Sequence, residues 1–184
     1  MDENTKKVFS IYKIPLLISL TLSIILIALR IVRQPLDIAS IFLGALAGSF
    51  VLDLEYFIYA YFLEPEKDFS KTLVAFVKHK DFQNALLYID YHKDELKDKT
   101  LNSVLFQIVI ALICIFIVPS AGGYFVKALV LSIFVNSIYR LMEYYHTSKL
   151  DEWFWELKSK PTKQGTILYT LGLLAILAYC LSIF

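Results

Sequence analysis

Two carboxylates, Asp53 and Glu55, sit two residues apart inside the apolar, aromatic stretch GSFVLDLEYFIYAYF (48–62). A charge near the middle of a bilayer costs about 2.5–3.5 kcal/mol on insertion scales, so such groups face a bundle interior and have partners. Two chemistries suit them. Oxygen ligands can hold a hard divalent cation such as Mg²⁺, or a guanidinium can balance them. Further along the chain, Ser132, Asn136, Arg140 and Glu143 fall at i, i+4, i+8 and i+11, one polar stripe on a helix. Asn102 and Ser103 open a third apolar run, and Gln107 follows one turn later on the Ser103 face. Ser49 shares the Asp53 face. In a regular helix, residues two apart point about 200° from one another, so Asp53 and Glu55 aim at one ligand only where the helix distorts.

The elements that must position these groups are apolar and long. The chain has 184 residues, 58% of them hydrophobic, and a mean hydropathy of +0.61. That exceeds the apolar share of ordinary soluble domains. A bilayer crossing takes about 20 helical residues, and five runs qualify as spans: 14–32, 36–62, 101–118, 124–145 and 165–184. The expected fold is an all-α, polytopic transmembrane helical bundle of about five spans, forming one integral membrane domain over 1–184. The first run lacks a small-x-small cleavage site and closes on Arg30 and Arg33, which reads as a retained span.

Five spans put every lysine except Lys127 on one face: the N-terminal flank, the loop 64–100 and the segment after the fourth span. The positive-inside rule then predicts the N-terminus inside and the C-terminus outside. At about 1.5 Å per residue, Asp53 and Asn136 come out roughly 13 Å from the cytoplasmic end, Glu55 roughly 10 Å and Arg140 roughly 8 Å. One internal polar cluster is therefore expected, made of Ser49, Asp53, Glu55, Asn102, Ser103, Gln107, Asn136, Arg140 and Glu143. Arg140 is its counter-ion.

Within 64–100, Phe69, Leu73, Phe76 and Val77 repeat at helical spacing, and Phe82, Ala85, Leu86 and Ile89 do the same. Asp68 and Asp81 are the expected N-caps. Two amphipathic helices on the cytoplasmic face, or a helical hairpin packed on itself, fit this pattern. Ser148-Lys-Leu-Asp151 resembles a capping box, and Trp153, Phe154 and Trp155 after it read as an interfacial anchor. Gly44 and Gly48 form a small-xxx-small pattern that lets a helix approach closely. Net charge is +1, which gives no field for nucleic acid. Cys114 and Cys180 lie in apolar runs with no metal spacing and read as inert thiols. His79 and His92 fall in the loop and His146 at the end of span four, none placed as a ligand.

The layout resembles the membrane-bound metal-dependent hydrolase family, relatives of the LexA-regulated inner-membrane hydrolase. That family carries a Pro-Asp-x-Asp, a His-Ser opening a later span and a His-x-x-x-Asp in the next. The matching positions here read Leu52-Asp53-Leu54-Glu55, Asn102-Ser103 and Asn136-x-x-x-Arg140, within 36–145. The resemblance implies a helical membrane bundle in the cytoplasmic (inner) membrane and places Asp53, Glu55, Asn102 and Asn136 at the metal positions. Both histidines read as asparagine and the last aspartate as arginine. An amide is a weak ligand for zinc and transition metals.

Three functions follow as expectations. The first is a degenerate, non-catalytic member without a metal cofactor, acting through lipid or through a protein partner at the cytoplasmic loop. The second is an active hydrolase of a lipid or phosphoester, with Asp53 and Glu55 on Mg²⁺ or a similar divalent metal and Glu143 as acid or base. The third is a small transporter or channel subunit, homo-oligomeric through the Gly44/Gly48 face.

Overall fold

Apolar periodicity without strand alternation yields helices throughout. The computed structural model describes residues 3–93, 96 and 99–184, and among them there is no strand. The helices are α1 (Glu3–Arg30), α2 (Pro35–Val51), α3 (Leu54–Ile58), α4 (Asp68–Lys78), α5 (Phe82–His92), α6 (Val104–Ile117), α7 (Tyr124–His146), α8 (Leu150–Trp153) and α9 (Lys163–Ile183). A wider π turn, Tyr59–Leu63, continues α3.

The chain divides into two compact units, one made of 1–14 with 53–98 and the other of 15–52 with 99–184. Helix α1 passes from one to the other at Pro15, whose missing N–H removes one bond of the helical ladder. The second passage falls at Leu52–Asp53, where α2 has ended and α3 has not begun. The helical distortion that two carboxylates at i and i+2 would require lies at this break.

The second unit holds the long apolar helices. Among the described residues, three helices are long and apolar enough to cross a membrane: Lys6–Arg30 (which begins in the first unit), Tyr124–His146 and Lys163–Ile183. A fourth results if Pro35–Val51 and Leu54–Leu63 count as one broken span. Helix α6 has only 14 residues, a length of about 21 Å at 1.5 Å per residue, against a hydrocarbon core of about 30 Å. It is shorter than the 101–118 run because residues 101–103 stay out of the helix and Ser103 caps it, accepting from the Phe106 N–H at 3.4 Å. Pro35 opens α2, where its fixed φ suits a first turn. Thr162 caps α9 through the Gly165 N–H at 3.2 Å.

Helix α2 packs most extensively on α7. The approach is close enough that a Cβ on Gly44 would stand 2.3 Å from the Phe125 carbonyl oxygen, and one on Gly48 2.6 Å from Ser132 Cβ. This glycine face is thus consumed inside the chain. The homo-oligomer surface expected there is already occupied by α7. Around it lie Leu26, Ile41, Ala45, Leu131, Phe134 and Leu141, all buried. Large apolar side chains also point outward, among them Ile24, Leu112, Phe116, Leu168 and Leu171. Such outward apolar faces suit lipid rather than water.

The first unit is built differently. Tyr56, Ala60, Phe69, Leu73, Ala85, Ile89 and Leu96 form its core. The Phe69 and Tyr88 rings stack with centroids 5.4 Å apart, so α4 and α5 pack on one another as a hairpin. Asp81 caps α5 as expected, its Oδ1 accepting from the Asn84 N–H at 3.2 Å. Asp68 does not cap α4: Lys67 holds the N-cap position, and Asp68 lies one residue inside, in the first turn. There a carboxylate still complements the helix dipole.

The expected capping box at Ser148 is absent. Ser148 adopts a left-handed φ of 58°, and Lys149 is the N-cap of α8 without a side-chain cap. That turn folds α8 back on α7, which buries Trp153 and Phe154 completely instead of leaving them at a headgroup level. Trp153 packs on Tyr144 at 5.2 Å between centroids. Only Trp155 keeps a half-exposed position, with its indole N–H donating to the Lys99 carbonyl at 2.9 Å.

Candidate functional site

The polar groups of the second unit converge most tightly where α1, α2 and α7 meet. Ser19 Oγ lies 2.7 Å from Ser49 Oγ and 2.9 Å from Ser132 Oγ. Ser132 Oγ donates to the Ala45 carbonyl at 2.6 Å. A hydroxyl has one proton, so the direction of the chain follows. With the Ser132 proton on Ala45, the Ser19 proton points to Ser132, and the Ser49 proton has Ser19 at 2.7 Å as its nearer acceptor, against the Ala45 carbonyl at 3.5 Å. Asn136 Nδ2 adds donors to this chain, reaching the Ser132 carbonyl at 2.9 Å and Ser19 Oγ at 3.1 Å. Ser19, Ser49, Ser132 and Asn136 are all buried. Asn136 Oδ1 has no partner among the described residues.

Local sequence explains the convergence. Ser132 and Asn136 share a face of α7 one turn apart, and Gly48 opposite them leaves the room that Ser132 fills. Ser49 follows Gly48 directly and so stands at the same crossing.

The other expected site residues of this unit serve separate contacts. Gln107 Oε1 accepts from Tyr169 of α9 at 2.9 Å, and its Nε2 has no partner among the described residues. Ser103 Oγ stands 2.8 Å from the Thr100 carbonyl oxygen and 3.1 Å from Glu156 Oε1, two acceptors for its one proton. The second Glu156 oxygen accepts from the Leu105 N–H at 3.2 Å, so this carboxylate sits on the start of α6, where free N–H groups favour an anion. Asn102 Nδ2 donates to the Leu52 carbonyl at 3.2 Å. Arg140 pairs with Glu143 at 3.3 Å, both on α7. Ser103, Gln107 and Asn136 thus each have a hydrogen-bond partner outside the expected set: Thr100, Tyr169 and Ser19.

Asp53 and Glu55 belong to the first unit. Each is only 6% exposed, and neither is without a partner. In the same unit, outside the apolar helices, Glu64 accepts from both Tyr59 and Lys67. The hydrogen bond from Lys67, then that from Tyr59, holds the Glu64 carboxyl below its ordinary range. The hydrogen bond to Glu64 raises Lys67 in turn.

Sequence reasoning missed Ser19, Tyr169 and Glu156. Ser19 is one hydroxyl in an otherwise apolar run, and its small polarity is the only local signal.

Compared with family models, curated proteins and solved structures, the chain matches none of them. Whether the residues suit a metal can be tested on the donor set itself. At Asn136 the side of the amide that meets Ser19 and Ser132 is its nitrogen, a donor. The serine protons are already assigned along the chain to Ala45. A cation needs lone pairs aimed at it. In the cluster of Ser19, Ser49, Ser132 and Asn136 the hydrogens are spent between the residues, and the one acceptor without a partner among the described residues is the Asn136 amide oxygen, so these four residues alone do not fit a metal.

Proposed function

We propose that this is a non-catalytic integral membrane protein, a degenerate relative of the membrane-bound metal-dependent hydrolases, acting through lipid or a protein partner. The observation that carries the reading is the Asn136 amide. It stands where that family's pattern has a histidine; its nitrogen donates into a neutral serine network, and the one acceptor it brings is an amide oxygen, a weak ligand for zinc and transition metals. The network does structural work, tying α1, α2 and α7 together with hydrogen bonds where apolar contact alone gives little preference for one helix arrangement. Arg140 is the compensating charge for buried carboxylates in this reading.

The protein lies in the cytoplasmic membrane with five spans, the N-terminus inside and the C-terminus outside. Helix α6 is the short third span, the one that brings the count to five, its mismatch met by local thinning of the bilayer. The lysine distribution supports this orientation. Helices α4 and α5 then lie on the cytoplasmic face, available to lipid or partner.

Elemental mass spectrometry on the detergent-purified protein tests the reading, wild type beside Asp53→Asn. The expected result is no stoichiometric transition or divalent metal in either. Near-stoichiometric metal in the wild type, lost in Asp53→Asn, would overturn the non-catalytic reading in favour of a hydrolase.

A further inference from the structure

Within the first unit, the π turn and α4 enclose a concavity of about 450 Å³, in the roughly 300–1,000 Å³ range of small-ligand sites. Its lining includes Tyr61, Pro65, Lys71, Val74, Lys78 and His79, and no carboxylate. Lys71 and Lys78 stand about two turns apart on α4, and His79 follows directly as its C-cap. The floor between them is apolar. Lys71 reaches Glu66 at 3.2 Å, but both side chains are more than half exposed, and such surface pairs are weak and easily exchanged. Among the described residues, Lys78 and His79 have no side-chain ion pair.

Phe62 and Leu63, next in the chain to Tyr61, are 80% and 60% exposed. They close the stretch that counts as a broken span. A basic concavity with an apolar floor, beginning at the residue before two exposed apolar side chains, has the two-part chemistry of a lipid: anionic head, hydrocarbon tail. We infer that this groove binds the phosphate-bearing headgroup of an anionic phospholipid. Lys71 and Lys78 supply the charge, His79 and the Tyr61 hydroxyl can donate hydrogen bonds, and Phe62 and Leu63 meet the acyl region. The inference rests on the reading of the chain as a membrane protein that acts through lipid contact, and names the lipid class.

Native mass spectrometry of the full detergent-purified chain tests it, with phosphatidylglycerol and phosphatidylcholine offered in competition. The wild type should retain phosphatidylglycerol preferentially. A lysine near an anionic surface contributes about fivefold in binding, so Lys71→Gln with Lys78→Gln should weaken retention about thirtyfold. Ala75→Trp, which fills the groove and keeps every charge, should also lose retention. The control pair Lys158→Gln with Lys163→Gln should not. Equal retention of both lipids, or equal loss in the control pair, would overturn the site. Inorganic phosphate bound at the same side chains without any lipid preference would also overturn it, in favour of a soluble anion. Stoichiometric metal in the purified protein would overturn the non-catalytic reading and leave this site standing.

Discussion

The two units are held together by different means. In the first, rings and aliphatic side chains from short helices make the core. Glu64 with Lys67, Lys71 with Glu66 and Lys93 with Asp90 form exposed or half-exposed charged contacts, and two carboxylates, Asp53 and Glu55, are buried in the same unit. In the second, the tightest helix crossing is made by two glycines and three serines, and its polar contacts are neutral and buried. Under the membrane reading proposed above, the difference follows from the solvent that most of each unit would answer. Water drives apolar side chains together, so a water-facing core can be made of bulk. Lipid gives apolar helices no such drive, and they associate through close backbone approach and hydrogen bonds.

The largest expected effect tests the bulk-packed side. Leu73 is fully buried in the first unit, and truncating such a leucine to alanine costs about 2–5 kcal/mol. Leu73→Ala should therefore expose residues 64–98 to limited proteolysis. Unfolding of the second unit can be followed separately, by the reaction of the buried thiols Cys114 and Cys180 with a thiol dye. That signal should move little. Simultaneous loss of both would show that the two units unfold as one and would end the comparison.

On the close-approach side, Gly44→Leu has no space to enter, with the Phe125 carbonyl already at 2.3 Å from the position of a first side-chain carbon. Overpacking of this kind costs about 1–3 kcal/mol, and the thiol-dye unfolding temperature should fall accordingly. Gly172→Ala on α9, where a Cβ meets nothing within 4 Å, should leave it unchanged. A similar fall at both positions would mean that helix propensity, and not the crossing, sets the effect.

Much of this division is readable along the chain. The long apolar runs of α7 and α9 emerge close to their expected limits, α1 begins eleven residues before its 14–32 run, and Ser103 starts α6 where the sequence turns apolar. Phe69 and Leu73 become core residues, as their spacing foretells. What stays hidden is partner choice between distant segments. Gly44 and Gly48 announce a close approach but not that α7 makes it. Nothing near Glu156 announces that it covers the start of α6, 53 residues before it at Ser103. Trp153 and Phe154 carry the composition of a membrane anchor, and only the left-handed turn at Ser148 turns them inward. Ser19 offers a single hydroxyl, and its role exists only once α2 and α7 stand beside it.

A smaller effect is expected from the hydroxyl network. Asn136→Ala removes donors to Ser19 and to the Ser132 carbonyl. Hydrogen bonds between membrane helices average about 0.6 kcal/mol, with a maximum near 1.7. The thiol-dye unfolding temperature should fall less than in Gly44→Leu. A double-mutant cycle with Ser19→Ala should show coupling of the same small size. A cost well above that of Gly44→Leu would make the network, not the glycine approach, the main tie between α2 and α7.

The smallest effect belongs to the exposed charges of the first unit. Glu64 titrates below its ordinary carboxylate value of 4.5 because Lys67 and Tyr59 donate to it. A carboxyl depressed in the folded state stabilises above its unfolded value, and that contribution disappears as pH falls through the folded one. The unfolding difference between wild type and Glu64→Gln, read by proteolysis of 64–98, should therefore be small and constant near neutral pH. It should shrink as pH drops below about 4.5. Lys67, raised by the same contact, carries the opposite sign: its contribution persists below its unfolded value and is lost only as pH rises through the folded one. Salt should narrow the difference at neutral pH, because exposed charges are screened beyond about 10 Å at 0.1 M. The hydroxyl network carries no net charge and should ignore salt at the same concentrations. Equal salt sensitivity in Glu64→Gln and Asn136→Ala would show that the buried network is coupled to an ionised group. The contrast between a neutral tie in one unit and charged contacts in the other would then fail at its most specific point.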